Sequence, residues 1–281
     1  HLEKEIEMQG KLFDRDRQVI QLHFGGGTPT YLDKEQLGAL MDHLRNSFTF
    51  DESEAHEFSI EVDPRTVDAE RIRELRALGF NRLSLGIQDF YEPVQKAVNR
   101  AQSPEEVQAL VDSAREAGFG SISFDLIYGL PLQTVETFNK TLDIAIAMKP
   151  DRLAVYNYAH LPDRFPSQRA IDRLDLPSPE EKLLLHEIIA DTLQEAGYLH
   201  IGMDHFVLPG DELAIAQREG RLQRNFQGYS LRMADDLLGL GASAISQMGD
   251  YYVQNERDLD RYYDRLQQRQ LPIEKGFISG H

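Results

Sequence analysis

The sequence predicts an α/β protein built as a partial β/α barrel, and three observations lead there. Short β-rich runs alternate with longer segments of helical spacing, the mark of βα units around a parallel sheet. Three helical segments run into a glycine followed by an aromatic residue, at Gly79, Gly118 and Gly197, which suits a left-handed cap leading into a strand. Polar residues gather just after the β runs, the end of a parallel sheet where ligands bind. Each βα step takes roughly 30 to 40 residues. Five such steps are visible in 281 residues, too few for a closed eight-fold barrel, so about six strands and an open barrel are expected.

Taken in order, the first strand is expected at 17–24 (RQVIQLHF), followed by the loop Gly25, Gly26, Gly27, Thr28. Further strands are expected at 57–62 (EFSIEV), 82–88 (RLSLGIQ), 121–127 (SISFDLI) and 152–158 (RLAVYNY). Between them, 34–47, 68–78, 104–117 and 135–148 have helical spacing, with Val107, Leu110, Val111 and Ala114 on one face. Beyond Leu161, three prolines and many charges break the rhythm before a helix at 179–196. A strand-like run at 198–207, a polar helix near 211–219 and an amphipathic helix at 257–270 follow; Tyr262, Tyr263 and Leu266 are expected on the buried side of the last. The expected organisation is a barrel core over 1–160, with barrel completion and an extension covering the site over 161–281. The chain opens on His1 rather than Met and ends without a helix end or polar tail, so it reads as an internal piece of a longer polypeptide, incomplete at the N-terminus.

Composition narrows the function. Thirty Lys plus Arg against forty-seven Asp plus Glu leave a formal net charge of −17, and no basic patch is visible, so a nucleic-acid partner is not expected. No apolar run approaches the length needed to cross a bilayer, and the start lacks a signal-peptide core, so the expectation is no membrane partner and a cytoplasmic location. With no cysteine, the chain itself offers no disulfide, thiol nucleophile, zinc-thiolate site or thiolate-held iron–sulfur cluster.

The strand ends carry the candidate chemistry. Three consecutive glycines either make a tight turn or let a ligand approach free backbone N–H groups; no GK[ST] tail supports a nucleotide P-loop. Glu61 either faces solvent or, at the carboxyl end of its strand, a site; Asp63 before Pro64 either opens a turn or joins it. Gln88, Asp89, Asn157, Tyr158, Ala159 and His160 stand at the next ends. Asp125 lies inside an apolar run, where a carboxylate needs a partner, either Arg100 or a ligand hydroxyl. His160 and His205, between apolar neighbours, read as satisfied core residues.

The ordered motifs HFGGGTPTYL, SIEVDPR, RLSLGIQDF, VNR, FDLIYGLPLQT, NYAHLP, IGMDHF, RNFQGY and LLGLGASAIS resemble the oxygen-independent coproporphyrinogen III oxidases, which are radical S-adenosylmethionine enzymes. The resemblance covers nearly the whole chain and implies a partial (β/α) barrel of that type. It also implies an oxidoreductase of porphyrin and haem biosynthesis. In that family a four-iron, four-sulfur cluster splits S-adenosylmethionine to an adenosyl radical, which takes a hydrogen atom from a propionate of coproporphyrinogen III. Loss of carbon dioxide and one electron leaves a vinyl group, and two such events give protoporphyrinogen IX. By the same resemblance, Gly26 and Glu61 hold the S-adenosylmethionine that ligates the cluster, with Ile245 packing against it, and Glu61 is the catalytic candidate. Gly27, Thr28, Gln88, Arg100, Asp125 and Ala159 hold a second molecule, with Arg100 the positive counterpart of Asp125. Phe226 and Gln227 line the porphyrinogen pocket. Partners implied are coproporphyrinogen III and an electron donor, for a protein acting as a monomer. The family's three cluster cysteines match nothing here, which implies that they lie upstream of His1; its C-terminal domain is likewise unmatched. A related haem chaperone shares GGGTP, but EVDPR, NYAHLP and RNFQGY favour the oxidase over it.

Overall fold

The computed structural model describes residues 1–51, 53, 56–225, 228–230 and 236–279. They form two compact units, one drawn from 22–32 and 57–219, the other from 1–21, 33–56 and 220–281. This partition interleaves along the chain.

The first unit is organised on a seven-stranded mixed sheet. Its strands are β1 (Gln21–Phe24), β2 (Glu57–Val62), β3 (Arg82–Gln88), β4 (Ser121–Tyr128), β5 (Arg152–Asn157), β6 (Leu199–Gly202) and β7 (His205–Val207). They run in the order β1-β2-β3-β4-β5-β7-β6. From β2 to β5 all pairs are parallel, while β7 is antiparallel to β5 and to β6. The sheet therefore has two ends and is not a closed barrel. Strict alternation in β2, β3 and β4 sends Phe58, Ile60, Val62, Leu83, Leu85, Ile87, Ile122, Phe124 and Leu126 into the core. Each such side chain contributes about 1.5–3 kcal/mol. Helix Pro104–Ala117 buries the expected Val107, Leu110, Val111 and Ala114 and packs against Ala69–Ala77, as Val135–Ala147 packs against Pro179–Glu195.

Local signals set the helix ends. Ser103 and Ser178 form capping boxes with Glu106 and Glu181, each with proline at the first helical position. The three expected glycines take left-handed φ, +107° at Gly79, +85° at Gly118 and +91° at Gly197. The run 17–24 is not one strand. Gln18–Val19 pairs with Thr49–Phe50, whereas Gln21–Phe24 joins the large sheet, because the two halves take different neighbours. The run 198–207 is a hairpin turning at Met203, with φ +48°, rather than one strand.

The second unit contains helices Leu2–Gly10, Lys34–Ser47 and Leu259–Gln267 and a four-stranded antiparallel sheet of Asp236–Leu237, Ile245–Met248, Tyr251–Asn255 and Ile273–Ile278. Tyr262 and Leu266, four apart on one helical face, are buried as expected, but Tyr263, the next position round the helix, is exposed and stacks on His1. The helix Leu2–Gly10 was not foreseen. It buries Ile6 together with Glu5, whose carboxylate accepts from Asn255 Nδ2 at 2.6 Å, Gly241 N at 2.8 Å and the Tyr262 hydroxyl at 2.6 Å.

Candidate functional site

The alternation that buries one face of the sheet gives the opposite face a polar set: Ser59 and Glu61 on β2, Ser84, Gly86 and Gln88 on β3, Ser123 and Asp125 on β4. Parallel register puts Glu61 beside Ser84 and Gly86 beside Asp125. Glu61 thus does not simply face solvent; it stands in a row of polar neighbours near the carboxyl ends of the strands.

Glu61 is tied to the glycine loop. Gly26 N–H donates to its Oε2 at 3.2 Å, and His23 Nε2 lies 3.3 Å from its Oε1 while Nδ1 of the same ring is 2.8 Å from the Ser59 hydroxyl. Hydrogen bonding from His23 holds the Glu61 carboxyl below its ordinary range against the opposing cost of burial, with the charge of His23 and the Gly26 N–H adding to it. A Cβ at Gly25 would collide with His23 Nε2 and come within 2.8 Å of Glu61 Oε1, so a side chain there would displace the paired tips of both. Substituents at Gly26 and Gly27 would meet nothing within 4 Å, so both face open space. Thr28 is half-buried at the start of the short turn Pro29–Tyr31, its carbonyl accepting from Tyr31 N at 2.9 Å.

Asp125 is satisfied by the Ser84 hydroxyl, which donates to Oδ2 at 2.9 Å, and Arg100 is not its counterpart. Arg100 Nη1 instead donates to Asp63 Oδ2 at 2.8 Å, where Arg65 also binds, Nη2 at 2.7 Å and Nε at 2.9 Å from the two oxygens. The expectation that Arg100 compensates Asp125 is corrected by this geometry: the guanidinium is bound by Asp63, which also holds Arg65. Burial alone would raise Asp63; Arg65 and Arg100 outweigh it and hold the carboxyl below its ordinary range. With no ion-paired cation, Asp125 is pushed up to about 6, mainly by desolvation and further by the charge of Glu61, against the Ser84 hydrogen bond and the charge of His23.

Gln88 carries two marks of a ligand position. Its φ is +68°, where the β3–β4 register slips between Gly86 and Gln88, and its buried Oε1 has no hydrogen-bond partner. Asp89, next along, is a structural pin: fully buried, it accepts from Gln133, Thr141 and the Tyr91 N–H. Ala159 is exposed two residues beyond β5, its carbonyl taking Gln168 Nε2 at 3.1 Å. Ile245, half-buried, opens a strand of the other compact unit, and Phe226 and Gln227 lie outside the described residues. The residues that sequence reasoning passed over are His23, Ser59 and Ser84, although their even spacing from Gly25, Glu61 and Gly86 along the strands was the available signal.

The donor set can be tested against the groups implied by the resemblance. Open space over Gly26 and Gly27, an orphaned amide oxygen on Gln88 and an uncompensated carboxylate on Asp125 suit a ligand with hydroxyl and ammonium donors, as S-adenosylmethionine has. A thiolate-held cluster does not fit the donors of this chain, which has no cysteine, and the described residues hold no cluster of His, Asp and Glu able to bind a metal.

The radical SAM superfamily model matches residues 2–145. The chain is similar to the oxygen-independent coproporphyrinogen III oxidase of Pseudomonas aeruginosa, at 52% identity over 275 residues, covering 98% of this chain and 60% of the relative. It is also similar to the enzyme of that name from Escherichia coli K12, at 53% over 276 residues with the same coverages. The solved structure of coproporphyrinogen III oxidase from Escherichia coli, described as a radical SAM enzyme, superposes with a TM-score of 0.96 at 51% identity, over 99% of this chain and 64% of that one. The chain thus spans about three fifths of the length of these curated relatives. It belongs to the radical SAM superfamily, a family that uses S-adenosylmethionine and a four-iron, four-sulfur cluster, and its relatives along almost its whole length are oxygen-independent coproporphyrinogen III oxidases.

Proposed function

We propose that this chain is the S-adenosylmethionine-binding part of an oxygen-independent coproporphyrinogen III oxidase, converting two propionates to vinyl groups in haem biosynthesis. The observation that carries the reading is the row of polar side chains at the carboxyl ends of β2–β4: Glu61 tied to the glycine loop, Gln88 with its orphaned oxygen, and Asp125 without a cation. S-adenosylmethionine, when bound, would supply an adenosyl radical by one-electron cleavage of its carbon–sulfur bond, with methionine leaving; that radical would take one hydrogen atom from a propionate, which would lose carbon dioxide and pass one electron to an acceptor, leaving a vinyl group.

The chain's own residues bind and orient. Glu61, kept anionic by His23, accepts from the ammonium of one S-adenosylmethionine over Gly26, with Ile245 as its apolar contact. A second molecule is assigned to Gly27, Thr28, Gln88, Asp125, Arg100 and Ala159. There Asp125 accepts from ribose hydroxyls, Gln88 Oε1 from an adenine or ammonium N–H, and Arg100 acts with Asp63 already bound to it. Phe226 and Gln227 are proposed to line the porphyrinogen pocket. An electron donor completes the reaction, and the protein is proposed to work as a cytoplasmic monomer; no described helix is long and apolar enough to cross a membrane. The relatives carry the oxidase name, and the haem-chaperone reading has no support among them.

The test is anaerobic turnover by the polypeptide extended upstream to the length of its relatives. With S-adenosylmethionine and a reductant it should release two carbon dioxide per coproporphyrinogen III. Stoichiometric haem retention without decarboxylation would reject the proposal.

A further inference from the structure

A substrate bearing several propionates has to approach a chain of net charge −17, so the cations near its site matter most where no protein carboxylate has already claimed them. Arg65 and Arg100 share the single carboxylate of Asp63, and Arg152 is paired with Asp211, so each of these guanidinium groups is already engaged by a protein carboxylate. Lys182 is different. It stands in the first turns of helix Pro179–Glu195 and reaches back to the carboxyl end of β5, where its Nζ donates to the Tyr158 carbonyl at 3.1 Å. Among the described residues no carboxylate lies within ion-pair distance of this half-buried ammonium.

The surroundings leave room for it. Gly129 ends the β4 side of the same rim with φ +84°. A Cβ there would sit 2.8 Å from Lys182 Cε, 3.3 Å from its Nζ and 3.4 Å from Asn157 Oδ1. The missing side chain leaves space that both the ammonium and the amide border, at the ends of two paired central strands, since Tyr128 and Asn157 are register partners. An ammonium has three donors, and one is used by the Tyr158 carbonyl. Among the described residues the other two donate to no acceptor, and the group is half-buried, where a charge-assisted hydrogen bond to an anion gains most.

We propose that Lys182, given its room by Gly129, is a carboxylate anchor that takes a propionate of the substrate at the rim formed by β4 and β5. The identity of the ligand rests on the function proposed above; the anchor itself rests on the geometry. Binding of the tetracarboxylate coproporphyrin III, and of its uncharged tetramethyl ester, to the full-length protein separates the two. Lys182→Met should weaken binding of the acid about ten- to a hundredfold, the range for a hydrogen bond between charged groups, and leave the ester unchanged. Lys182→Arg should recover most of the loss. Gly129→Ala keeps the charge but displaces it, and should also weaken the acid selectively. Equal losses for acid and ester, no loss, or a loss confined to S-adenosylmethionine would overturn the assignment. If the wild type binds the acid through Lys182 yet releases no carbon dioxide, the oxidase reading fails while the anchor stands.

Discussion

Replacing Asp125 by Asn should make the unliganded protein more stable and the ligand weaker, and the size of the first effect follows from the site. The Asp125 carboxyl shifts from an ordinary 3.8 to about 6, chiefly by desolvation and then by the neighbouring charge of Glu61. Because the folded value lies above the unfolded one, the native state holds more protons between them. Stability therefore falls as pH rises from 3.8 to about 6 and is level, for this group, above that. At about 1.36 kcal/mol per pH unit the ionised carboxylate costs between about 1.5 and 3 kcal/mol at pH 7.5, the lower figure allowing for water that reaches a half-buried side chain. Asn keeps an oxygen to accept from the Ser84 hydroxyl and carries no charge. Urea unfolding of both proteins at pH 4, 5.5 and 7.5 measures the difference directly. The Asn protein should gain progressively on the wild type across that range, while its S-adenosylmethionine affinity, read by equilibrium dialysis, drops. A variant no more stable than wild type at pH 7.5 would refute the claim that Asp125 is held ionised without a protein cation.

Three further outcomes are expected. Glu61→Gln should lower S-adenosylmethionine affinity about tenfold or more. Because the wild-type carboxyl sits below its ordinary value, the stability difference between the two proteins should be present near neutrality and vanish in acid, as pH falls through that lowered value; paired melts at several pH values test this. Gly25→Ala drives a methyl into His23 and Glu61, so it should destabilise the protein by about 1–3 kcal/mol and uncouple the pair, visible as altered His23 ring chemical shifts by NMR. Glu5→Ala leaves three buried donors without their acceptor and should cost about 3 kcal/mol or more, lowering Tm by several degrees, with Glu5→Gln milder; an unchanged Tm would show that Glu5 is not the tie between helix Leu2–Gly10, Gly241, Asn255 and Tyr262.

Much of the fold was legible in the residues because its causes are local. Period-two and period-3.6 spacing placed the parallel strands and their crossover helices within a few residues, and Gly79, Gly118 and Gly197 ended helices as only an unhindered backbone allows. The same spacing placed Glu61 and Gln88 at strand ends, whereas Asp125 lies within β4, which runs on to Tyr128. What spacing alone does not carry is the choice among distant partners. That 17–24 divides between two sheets, that 198–207 folds back at Met203, and that Asp63 rather than Asp125 holds Arg100 are outcomes of long-range competition. Each depends on which of several chemically equivalent neighbours the packed chain brings nearest. The left-handed Gln88 and its orphaned oxygen likewise arise from a register slip between strands 30 to 40 residues apart in the chain. The sequence by itself therefore determined the elements, their capping and the chemistry available at the strand ends. Tertiary structure alone decided which charges are paired and which, as at Asp125 and Lys182, are left without an ion-pair partner among the described residues, because burial and charge pairing are properties of the assembled neighbourhood and not of any segment within it.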